Sequence, residues 1–377
     1  MKCTLGITQQ CNLACDYCYI QKKPVTMQLE TARKIADYVF LHSLPDEKIE
    51  FGFFGGEPLL EFGLIKDITL IIQNHRLYSP EKVNFTVTTN GTILNEKIID
   101  FLKANNIVLC ISCDGPPEVQ NVHRRFKTGK GSAALVEDNI KAALKVFPLV
   151  PVNSVYSPDT LGFLPDVVEY IASLGVQRIF LNPDISAAWT EKDADALPEL
   201  FGRIGKMYLS YHLENKPEYI SLIDSKIAVI LKGGYQPFEK CRMGDGELAF
   251  APSGNIYPCE RLIGSDDGRQ HCLGNINETT DLKPRCQHIP TDAVNTECLN
   301  CSLSAYCMNW CGCTNYAMAG SYNKAAPFLC ASEKAAISAA LETIRSATDK
   351  HINLSHSLHT APFSDAMCIT QGLLPDR

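Results

Sequence analysis

The stretch Thr4-Leu-Gly-Ile-Thr8-Gln-Gln-Cys11-Asn-Leu-Ala-Cys15-Asp-Tyr-Cys18 begins the pattern that decides the fold. Its β-branched, apolar start predicts a strand over Thr4–Thr8, and three cysteines follow that strand directly. They are separated by three and then by two residues, a spacing that lets three thiolates close around one metal cluster. A [4Fe–4S] cluster normally takes four thiolates, so one iron is left open for another ligand. We expect the chemistry at that iron.

From residue 3 to about 182, short β-branched or aromatic runs alternate with longer amphipathic stretches. This alternation is typical of βα units on a parallel sheet. Six such units predict a partial (β/α)6 TIM-like barrel of the α/β class, with functional residues on the loops that follow the strands. The predicted strands are Thr4–Thr8, Glu50–Phe54, Asn84–Thr89, Val108–Cys113, Val150–Val155 and Arg178–Asn182. The predicted helices between them are Leu29–Leu41, Leu64–His75, Glu96–Ala104, Ser132–Val146 and Leu161–Leu174.

The sequence pattern changes in the second half of the chain. Helical periodicity over Leu197–Leu213 and Tyr219–Leu231 ends at Gly233-Gly234, and from Cys241 to Cys330 cysteine becomes frequent. A hairpin is predicted around Pro252-Ser253-Gly254, and an Ala-, Glu- and Lys-rich helix over Glu333–Thr348. We therefore predict a barrel with bridging helices over residues 1–235, a cysteine-rich iron–sulfur domain over 236–345 and a C-terminal tail over 346–377.

Composition narrows the classes of function. The chain has 377 residues, 45% of them hydrophobic and 20% charged, which is enough for a buried core. Its net charge of −7 argues against a surface that neutralises many phosphates, so we expect no nucleic-acid partner. The sequence has neither a signal-peptide layout nor an apolar run of about eighteen residues, so we expect no membrane partner and a cytoplasmic location. In a reducing compartment, 17 cysteines indicate metal ligands rather than disulfides.

Three further predicted strands end in motifs that could meet a ligand. The second is followed by Gly55-Gly56-Glu57-Pro58, where glycines let the backbone approach a ligand closely. The third ends Thr88-Thr89-Asn90-Gly91, and the fourth Ser112-Cys113-Asp114-Gly115-Pro116, with Arg124 ten residues beyond the aspartate. Thr88 and Asp114 could equally be polar strand caps. Cys110 and Cys113 are interpreted as small buried apolar residues.

A second group of cysteines is spaced as tightly as the first. Cys241 is followed by Gly254-Asn-Ile-Tyr-Pro-Cys259, by a run with the spacing C-x2-C-x5-C-x3-C, and by a last cysteine. The run and the last cysteine are Cys298, Cys301, Cys307, Cys311 and Cys330. A zinc ribbon over residues 298–311 is the alternative interpretation.

Taken together, these motifs resemble the radical S-adenosylmethionine (radical SAM) superfamily with a C-terminal SPASM domain, the auxiliary-cluster module of its peptide and protein maturases. The C-x3-C-x2-C triplet is that superfamily's signature, and Tyr17 fills its aromatic position before the last cysteine. The resemblance covers residues 3 to about 335. It implies three [4Fe–4S] clusters, one of them binding S-adenosylmethionine. It also implies cofactor contacts from the residues Tyr17, Gly55, Gly56, Glu57, Asn90, Ser112 and Arg124.

The resemblance also implies how the auxiliary clusters are held. The outer cluster would take Cys298, Cys301, Cys307 and Cys330, and the inner one Cys241, Cys259 and Cys311. Anaerobic sulfatase maturases, which the chain resembles in layout, carry a further cysteine in the region Gly244–Glu247, where this sequence has none. Either Cys272 or Cys286 completes the inner cluster, or one of its irons is open to a substrate atom. Cys313 is surplus to the pattern.

Glu260 directly follows Cys259. Sulfatase maturases have at this step an aspartate that takes a proton as the substrate radical is oxidised, so the resemblance implies a catalytic base at Glu260. The alternative is a solvated carboxylate paired with Arg261.

The resemblance implies a radical SAM oxidoreductase that modifies a peptide or protein side chain. We prefer a thioether or another crosslink in a ribosomally made peptide, because an open inner cluster would hold a substrate thiolate. The alternatives are formylglycine formation of the sulfatase-maturase type, or action on a small molecule or cofactor precursor. The Gly55–Glu57 loop disfavours a plain electron carrier, which needs no methionine clamp. Expected partners are the substrate and a flavodoxin- or ferredoxin-type electron donor. Because the chain begins directly at strand one, we expect leader binding to come from a separate leader-binding protein or from the SPASM surface, or not to be needed.

Overall fold

A computed structural model describes residues 1–214, 219–236, 239, 241, 243–278, 298–308 and 311–354. Predictions for Cys286 and for the tail beyond residue 354 lie outside these ranges. The chain divides into two compact units. Within the described ranges, the first unit comprises residues 1–110, 125–130 and 243–278, and the second comprises 111–124, 131–241 and 298–354.

The described strands and helices follow each other in βα order before the pattern changes. The strands are β1 Lys2–Thr8, β2 Ile49–Gly55, β3 Val83–Thr89, β4 Ile107–Ser112, β5 Pro151–Tyr156, β6 Arg178–Pro183, β7 Tyr219–Ile220, β8 Glu247–Phe250, β9 Asn255–Tyr257 and β10 Gly274–Asn275. The helices are α1 Leu29–His42, α2 Phe62–Gln73, α3 Glu96–Ala104, α4 Pro117–His123, α5 Ala133–Leu144, α6 Leu164–Ser173, α7 Glu191–Leu213, α8 Ser221–Lys232, α9 Gly312–Ala319 and α10 Pro327–Asp349.

The first unit is organised around β1. This strand pairs in parallel with β2 on one side and with β8 on the other, and the strand order is β10-β9-β8-β1-β2-β3, followed by the first residues of β4. Six of the seven β1 residues are buried, as expected for a central parallel strand covered on both faces. Helix α1 buries Ala32, Ile35, Ala36 and Val39, the helical period of one apolar face.

The second unit contains the other parallel strands, in the order β4-β5-β6-β7. The two longest described helices, α7 and α10, pack against each other, and both pack against α8. A capping box starts α7: the Thr190 hydroxyl accepts from the Asp193 N–H, and the Asp193 carboxylate accepts from the Thr190 N–H. Proline occupies the start of α10, where its missing N–H costs nothing.

All six strands predicted for the barrel are confirmed to within two residues at each end, and so is the hairpin of β8 and β9. Two described helices were not predicted, α4 and α9. With seven and eight residues, they are too short for an apolar period to stand out. The boundary at residues 235 and 236 stays a prediction, although β8 lies beyond it and pairs with β1. No described helix has the length and hydrophobicity needed to cross a membrane.

Candidate functional site

The loop that carries the first three cysteines leaves the carboxyl end of β1, in the first unit. Cys11 is buried, whereas Cys15 and Cys18 are half-buried. The Cys18 N–H donates to the Cys15 carbonyl at 3.4 Å, which closes a turn between these two residues. Tyr17, inside that turn, is half-buried. One short loop therefore presents all three sulfur donors.

A second segment of the first unit fastens this loop. The Ala14 N–H donates to the Arg125 carbonyl at 2.8 Å, and the Lys127 N–H donates to the Asn12 carbonyl at 3.3 Å. Between these bonds, Leu13 and Phe126 form an antiparallel bridge, and Leu13 is fully buried. The backbone of the cysteine loop is thus paired like a strand between its first two predicted ligands, Cys11 and Cys15, which limits how far their sulfurs can move.

Gly55 and Gly56 let the end of β2 lie against the start of the same loop. The Gly56 N–H donates to the Thr8 carbonyl at 2.7 Å, and the Glu57 N–H donates to the Gln10 carbonyl at 2.8 Å. A Cβ on Gly55 would lie 2.3 Å from the Thr8 oxygen, and one on Gly56 would lie 2.1 Å from the Gln10 oxygen. No side chain fits at such distances, so the close approach requires glycine at both positions.

The Glu57 carboxylate links the β2 loop to the end of β3. It is fully buried and accepts from the Leu59 N–H at 3.0 Å, from the Thr89 hydroxyl at 2.8 Å and from the Asn90 N–H at 2.7 Å. These bonds stabilise its charged form, because donors aimed at a buried carboxylate offset its lost hydration. Glu57 therefore sets the position of Asn90. Its contact with the methionine ammonium stays a prediction, as does the cofactor role of its neighbours.

Asn90 in turn reaches the cysteine loop. Its side-chain nitrogen donates to Asn12 Oδ1 at 2.8 Å and lies 3.7 Å from Cys11 Sγ. Burial raises the pKa of the Cys11 thiol, while the Leu13 N–H, which points at the sulfur, opposes that shift. A thiol with a raised pKa must release its proton when it binds metal. Three cysteines on one paired loop, with N–H groups directed at the sulfur of the first, fit the ligation of an iron–sulfur cluster.

A buried group of two carboxylates and a thiol lies elsewhere in the first unit. One ligand atom each of Glu247, Cys259 and Glu260 lies within 4.8 Å of the other two. The Cys259 thiol donates to Glu260 Oε2 at 3.8 Å, and Lys2 Nζ lies 3.3 Å from Glu247 Oε1. Glu260 is only 4% exposed, so the interpretation of Glu260 as a solvated carboxylate is wrong. Glu247 was not predicted as a site residue, because its position in this group depends on β8 lying next to β1.

The two carboxylates differ in charge. Burial, and a hydrogen bond shared with Glu260, raise the pKa of Glu247 to about 7, although Lys2 opposes the shift. Burial by itself would raise the pKa of Glu260, but Lys2, the local backbone N–H and Arg261 hold it below its ordinary value. One proton shared by a carboxyl pair favours one neutral and one ionised member. Glu260 is the ionised member and can therefore accept a proton.

Tyr19 lies near Cys18 and Cys259, two cysteines of the first unit that are predicted to hold different clusters. Burial and the charge of Glu260 raise the pKa of its phenol, and Cys259 and Cys18 act in the same direction. Its ring stacks on Phe54, with 6.2 Å between the ring centroids. Tyr19 and Cys18 pack, together with Cys272, against one small apolar cluster that includes Tyr257. The Cys272 thiol donates to the Gly274 carbonyl at 3.2 Å.

In the second unit, Arg124 is held by a buried network. Its Nε lies 3.0 Å from Asp114 Oδ1, and both side chains are at most 9% exposed. Gln120 accepts from the Asp114 N–H at 2.7 Å and donates to the Ser132 hydroxyl at 3.0 Å; that hydroxyl donates to the Arg124 carbonyl at 2.6 Å. Asp114 is thus the partner of Arg124. Gln120 and Ser132 were not predicted, because their contacts depend on α4.

Ser112 ends β4 and pairs in register with Asn153 of β5. The next residue, Cys113, is buried, and burial raises the pKa of its thiol to about 12, so it remains protonated. Both Cys110 and Cys113 are buried at the end of a strand, which confirms their interpretation as small core residues.

The later cysteines of the second unit that belong to the pattern are half-buried: Cys241, Cys298, Cys301, Cys307, Cys311 and Cys330. The Cys301 N–H donates to the Cys298 carbonyl at 3.1 Å, a turn like that between Cys15 and Cys18. Cys311 precedes α9, and its sulfur lies 3.5 Å from that of the buried Cys313. Four of these thiols, Cys298, Cys301, Cys307 and Cys330, provide the donor number and type of a complete [4Fe–4S] site. Cys286 lies outside the described ranges.

A family model described as the radical SAM superfamily matches residues 5–171. The chain is 31% identical over 289 residues to the uncharacterized protein MJ0907 of Methanocaldococcus jannaschii, a match that covers 74% of this chain and 90% of the relative. It is 22% identical to the radical SAM cyclopropyl synthase TigE of Paramaledivibacter caminithermalis, over 81% of this chain and 66% of the relative. It is also 21% identical to a cysteine-type anaerobic sulfatase-maturating enzyme of Clostridium novyi, over 81% and 85%.

Two solved structures show the same fold. The sulfatase-maturase structure "native anSMEcpe with bound AdoMet and Cp18Cys peptide" superposes with a TM-score of 0.75 at 20% identity, covering 93% of this chain and 99% of that one. SuiB of Streptococcus suis bound to the precursor peptide SuiA superposes with a TM-score of 0.61 at 15% identity, covering 87% and 75%. At these identities the likeness establishes the fold alone.

Replacing Gly56 with alanine should separate the β2 loop from the cysteine loop, because the new Cβ would lie 2.1 Å from the Gln10 oxygen. We expect a loss of about 1–3 kcal/mol in the free energy of unfolding, the usual cost of overpacking. S-adenosylmethionine should bind more weakly as well. Anaerobic denaturant titration and equilibrium dialysis measure the two effects.

The matched control is Gly63→Ala in the same unit, where a Cβ would meet nothing within 4 Å. In helix α2 this change should stabilise by about 0.5–1 kcal/mol and leave cofactor binding unchanged. Equal behaviour of the two variants would contradict the role given to the close approach at Gly56.

Proposed function

Because the chain belongs to the radical SAM superfamily, we propose that it reductively cleaves S-adenosylmethionine and oxidatively modifies a peptide or protein side chain. A thioether or another crosslink in a ribosomally made peptide is the preferred product. The observation that carries this proposal is the buried Glu260 carboxylate in contact with Cys259, in the same compact unit as the Cys11–Cys18 loop. An oxidation needs both a proton acceptor and an electron acceptor. Glu260 would be the proton acceptor, and a cluster bound by Cys259 would be the electron acceptor.

In the proposed site, Cys11, Cys15 and Cys18 hold the cluster that binds the methionine moiety. When bound, this cluster supplies the electron whose transfer to S-adenosylmethionine yields the 5′-deoxyadenosyl radical. Gly55 and Gly56, which lie against the cysteine loop, would bring backbone groups close to the ligand, while Glu57 fixes Asn90. Tyr17, Ser112 and Arg124 are proposed as further cofactor contacts. The buried partner Asp114 would hold the Arg124 guanidinium in one orientation.

We propose that the seven later cysteines form a SPASM module with two auxiliary clusters. Cys298, Cys301, Cys307 and Cys330 would complete the outer one, and Cys241, Cys259 and Cys311 would hold the inner one. Glu260, next to Cys259, would take the proton released as the substrate radical is oxidised, and the inner cluster would take the electron. The fourth ligand of that cluster is Cys272, Cys286 or an atom of the substrate.

The preference for a peptide substrate draws support from the neighbours of this fold, two of which carry bound peptides. Formylglycine formation is the second candidate, favoured by the carboxylate that follows Cys259 and by relatives named sulfatase-maturating enzymes. Both reactions need an external electron donor of the flavodoxin or ferredoxin type. Recognition of a peptide leader by a separate protein applies to the first candidate only.

Replacing Cys11, Cys15 and Cys18 together with alanine should abolish reductive cleavage, because the cofactor's methionine then has no iron to bind. Auxiliary-cluster absorption should persist in the reconstituted variant. Cleavage is measured as 5′-deoxyadenosine released per chain, and Cys110→Ala, at a buried cysteine outside the predicted ligand set, is the control. Undiminished cleavage in the triple variant would rule out this site.

Replacing Glu260 with glutamine should separate radical formation from product formation. The variant retains the shape of the side chain but cannot take up the proton, so 5′-deoxyadenosine should still form while product falls by about 10²-fold or more. Chromatography of the nucleoside and mass spectrometry of the substrate measure the two yields. Glu278→Gln, at an exposed glutamate of the same unit, should leave both unchanged. A normal product yield from Glu260→Gln would remove Glu260 from the mechanism.

A further inference from the structure

A buried ion pair joins two helices of the second unit beside a predicted cluster ligand. Lys226 on α8 is 3% exposed, and its Nζ lies 2.6 Å from Glu333 Oε2 on α10. Charged side chains this deeply buried are costly unless they are paired and hydrogen-bonded. The pair therefore needs a reason beyond holding two helices together, because apolar residues would do that at less cost.

Both members of the pair bind the backbone of one short segment, Ala305–Met308. Lys226 Nζ donates to the Tyr306 carbonyl at 3.3 Å, and the Met308 N–H donates to Glu333 Oε2 at 2.5 Å. These two bonds lie on either side of Cys307. A third bond joins the Tyr235 N–H, beyond the end of α8, to the Ala305 carbonyl at 2.8 Å. The peptide groups flanking Cys307 are thus held by charge-assisted bonds, the stronger kind.

The same pair is connected to a second predicted ligand. Glu333 lies three residues after Cys330 on α10, and residues at this spacing share one face of a helix. One carboxylate therefore fixes the Met308 amide next to Cys307 and projects from the helical face that carries Cys330. The Cys11–Cys18 loop of the first unit is held in another way, by backbone pairing with residues 125–127 and by a bond from Lys22 Nζ to the Cys15 carbonyl at 3.3 Å.

Neighbouring groups keep the Lys226 ammonium in its charged form. Burial by itself would lower the pKa of its ammonium, but Glu333, Tyr235 and Cys307 raise it above its ordinary value. Its Nζ also lies 5.5 Å from the centroid of the Tyr235 ring, a cation–π contact. A fixed positive charge near a cluster favours the reduced, more negative form of that cluster, because net charge and hydrogen bonding set the potential of iron–sulfur centres.

We propose that Lys226 and Glu333 are positioning residues of the outer auxiliary cluster: the pair aligns Cys307 and Cys330 as ligands, and its charge balance sets the cluster's reduction potential. This inference rests on the proposed function, since it takes Cys298, Cys301, Cys307 and Cys330 as the ligands of one cluster. The two charges act in opposite directions. Loss of the lysine makes reduction harder, and loss of the carboxylate leaves an unneutralised cation and makes reduction easier.

The test uses the full chain, reconstituted anaerobically with iron and sulfide, and compares wild type with Lys226→Met and Glu333→Gln. Iron per chain is measured, and reduction potentials come from redox titration followed by electron paramagnetic resonance. The signal that disappears in Cys298→Ala identifies the outer cluster. The glutamine keeps an oxygen for the Met308 N–H, so Glu333→Gln should hold full iron with the outer potential shifted upward. Lys226→Met should shift it downward, or lose about four irons per chain.

Lys232→Met is the matched control. This lysine lies on the same helix and pairs with Glu239, and no contact of it with Ala305–Met308 is among those described. It should match wild type in iron and in potential. Reductive cleavage of S-adenosylmethionine, which depends on the first three cysteines, verifies that each variant is folded.

The possible outcomes test the auxiliary clusters and the role of the ion pair separately. Wild type with only about four irons, and no signal that depends on Cys298, would contradict the auxiliary clusters themselves. Wild type with about twelve irons, together with an outer potential unchanged in both Lys226→Met and Glu333→Gln, would overturn the role of the ion pair and leave the proposed function intact. If Lys226→Met does not fold, an unchanged potential in Glu333→Gln alone overturns it.

Discussion

Two backbone hydrogen bonds, from Gly56 to Thr8 and from Glu57 to Gln10, are the constraint on which the candidate site depends. They can form only because the second strand ends in two glycines whose missing side chains leave room for carbonyl oxygens. Once formed, they place the buried Glu57 carboxylate where it accepts from the Asn90 backbone N–H. The Asn90 side chain in turn donates to the cysteine loop. A chain of local contacts thus connects the ends of three neighbouring strands, where parallel α/β folds commonly bind ligands.

The two compact units use different means to hold their predicted metal ligands. In the first, backbone bonds pair the Cys11–Cys18 loop with the segment Arg125–Lys130, and the half-buried Lys22 donates to the Cys15 carbonyl. In the second, a buried lysine and a glutamate bind the peptide groups on either side of Cys307. Backbone pairing adds no net charge, whereas buried side-chain charges such as those of Lys226 and Glu333 alter the reduction potential of a cluster.

Much of the fold could be predicted from sequence, for a reason visible in the strands. Buried parallel strands such as β1 are short apolar runs that alternate with amphipathic helices, and both periods are local properties of the chain. The three cysteines and the two adjacent glycines could likewise be recognised from the sequence, because their pattern depends only on spacing along the chain. Glu247 and Lys226 were not, because each acts through a partner brought close by tertiary packing: Glu260 for the first and Glu333 for the second. The burial of Glu260 likewise follows from the fold and not from its neighbours in sequence.

Oxidation of a peptide side chain by this radical SAM enzyme can be tested by mass spectrometry of peptides encoded beside the gene. The candidate peptides are incubated anaerobically with reduced, reconstituted enzyme and S-adenosylmethionine. We expect 5′-deoxyadenosine together with a peptide lighter by about two daltons, the mass of two hydrogens, with fragmentation locating the altered residue. Cofactor cleavage with every encoded peptide unchanged, and a small molecule consumed in its place, would contradict it.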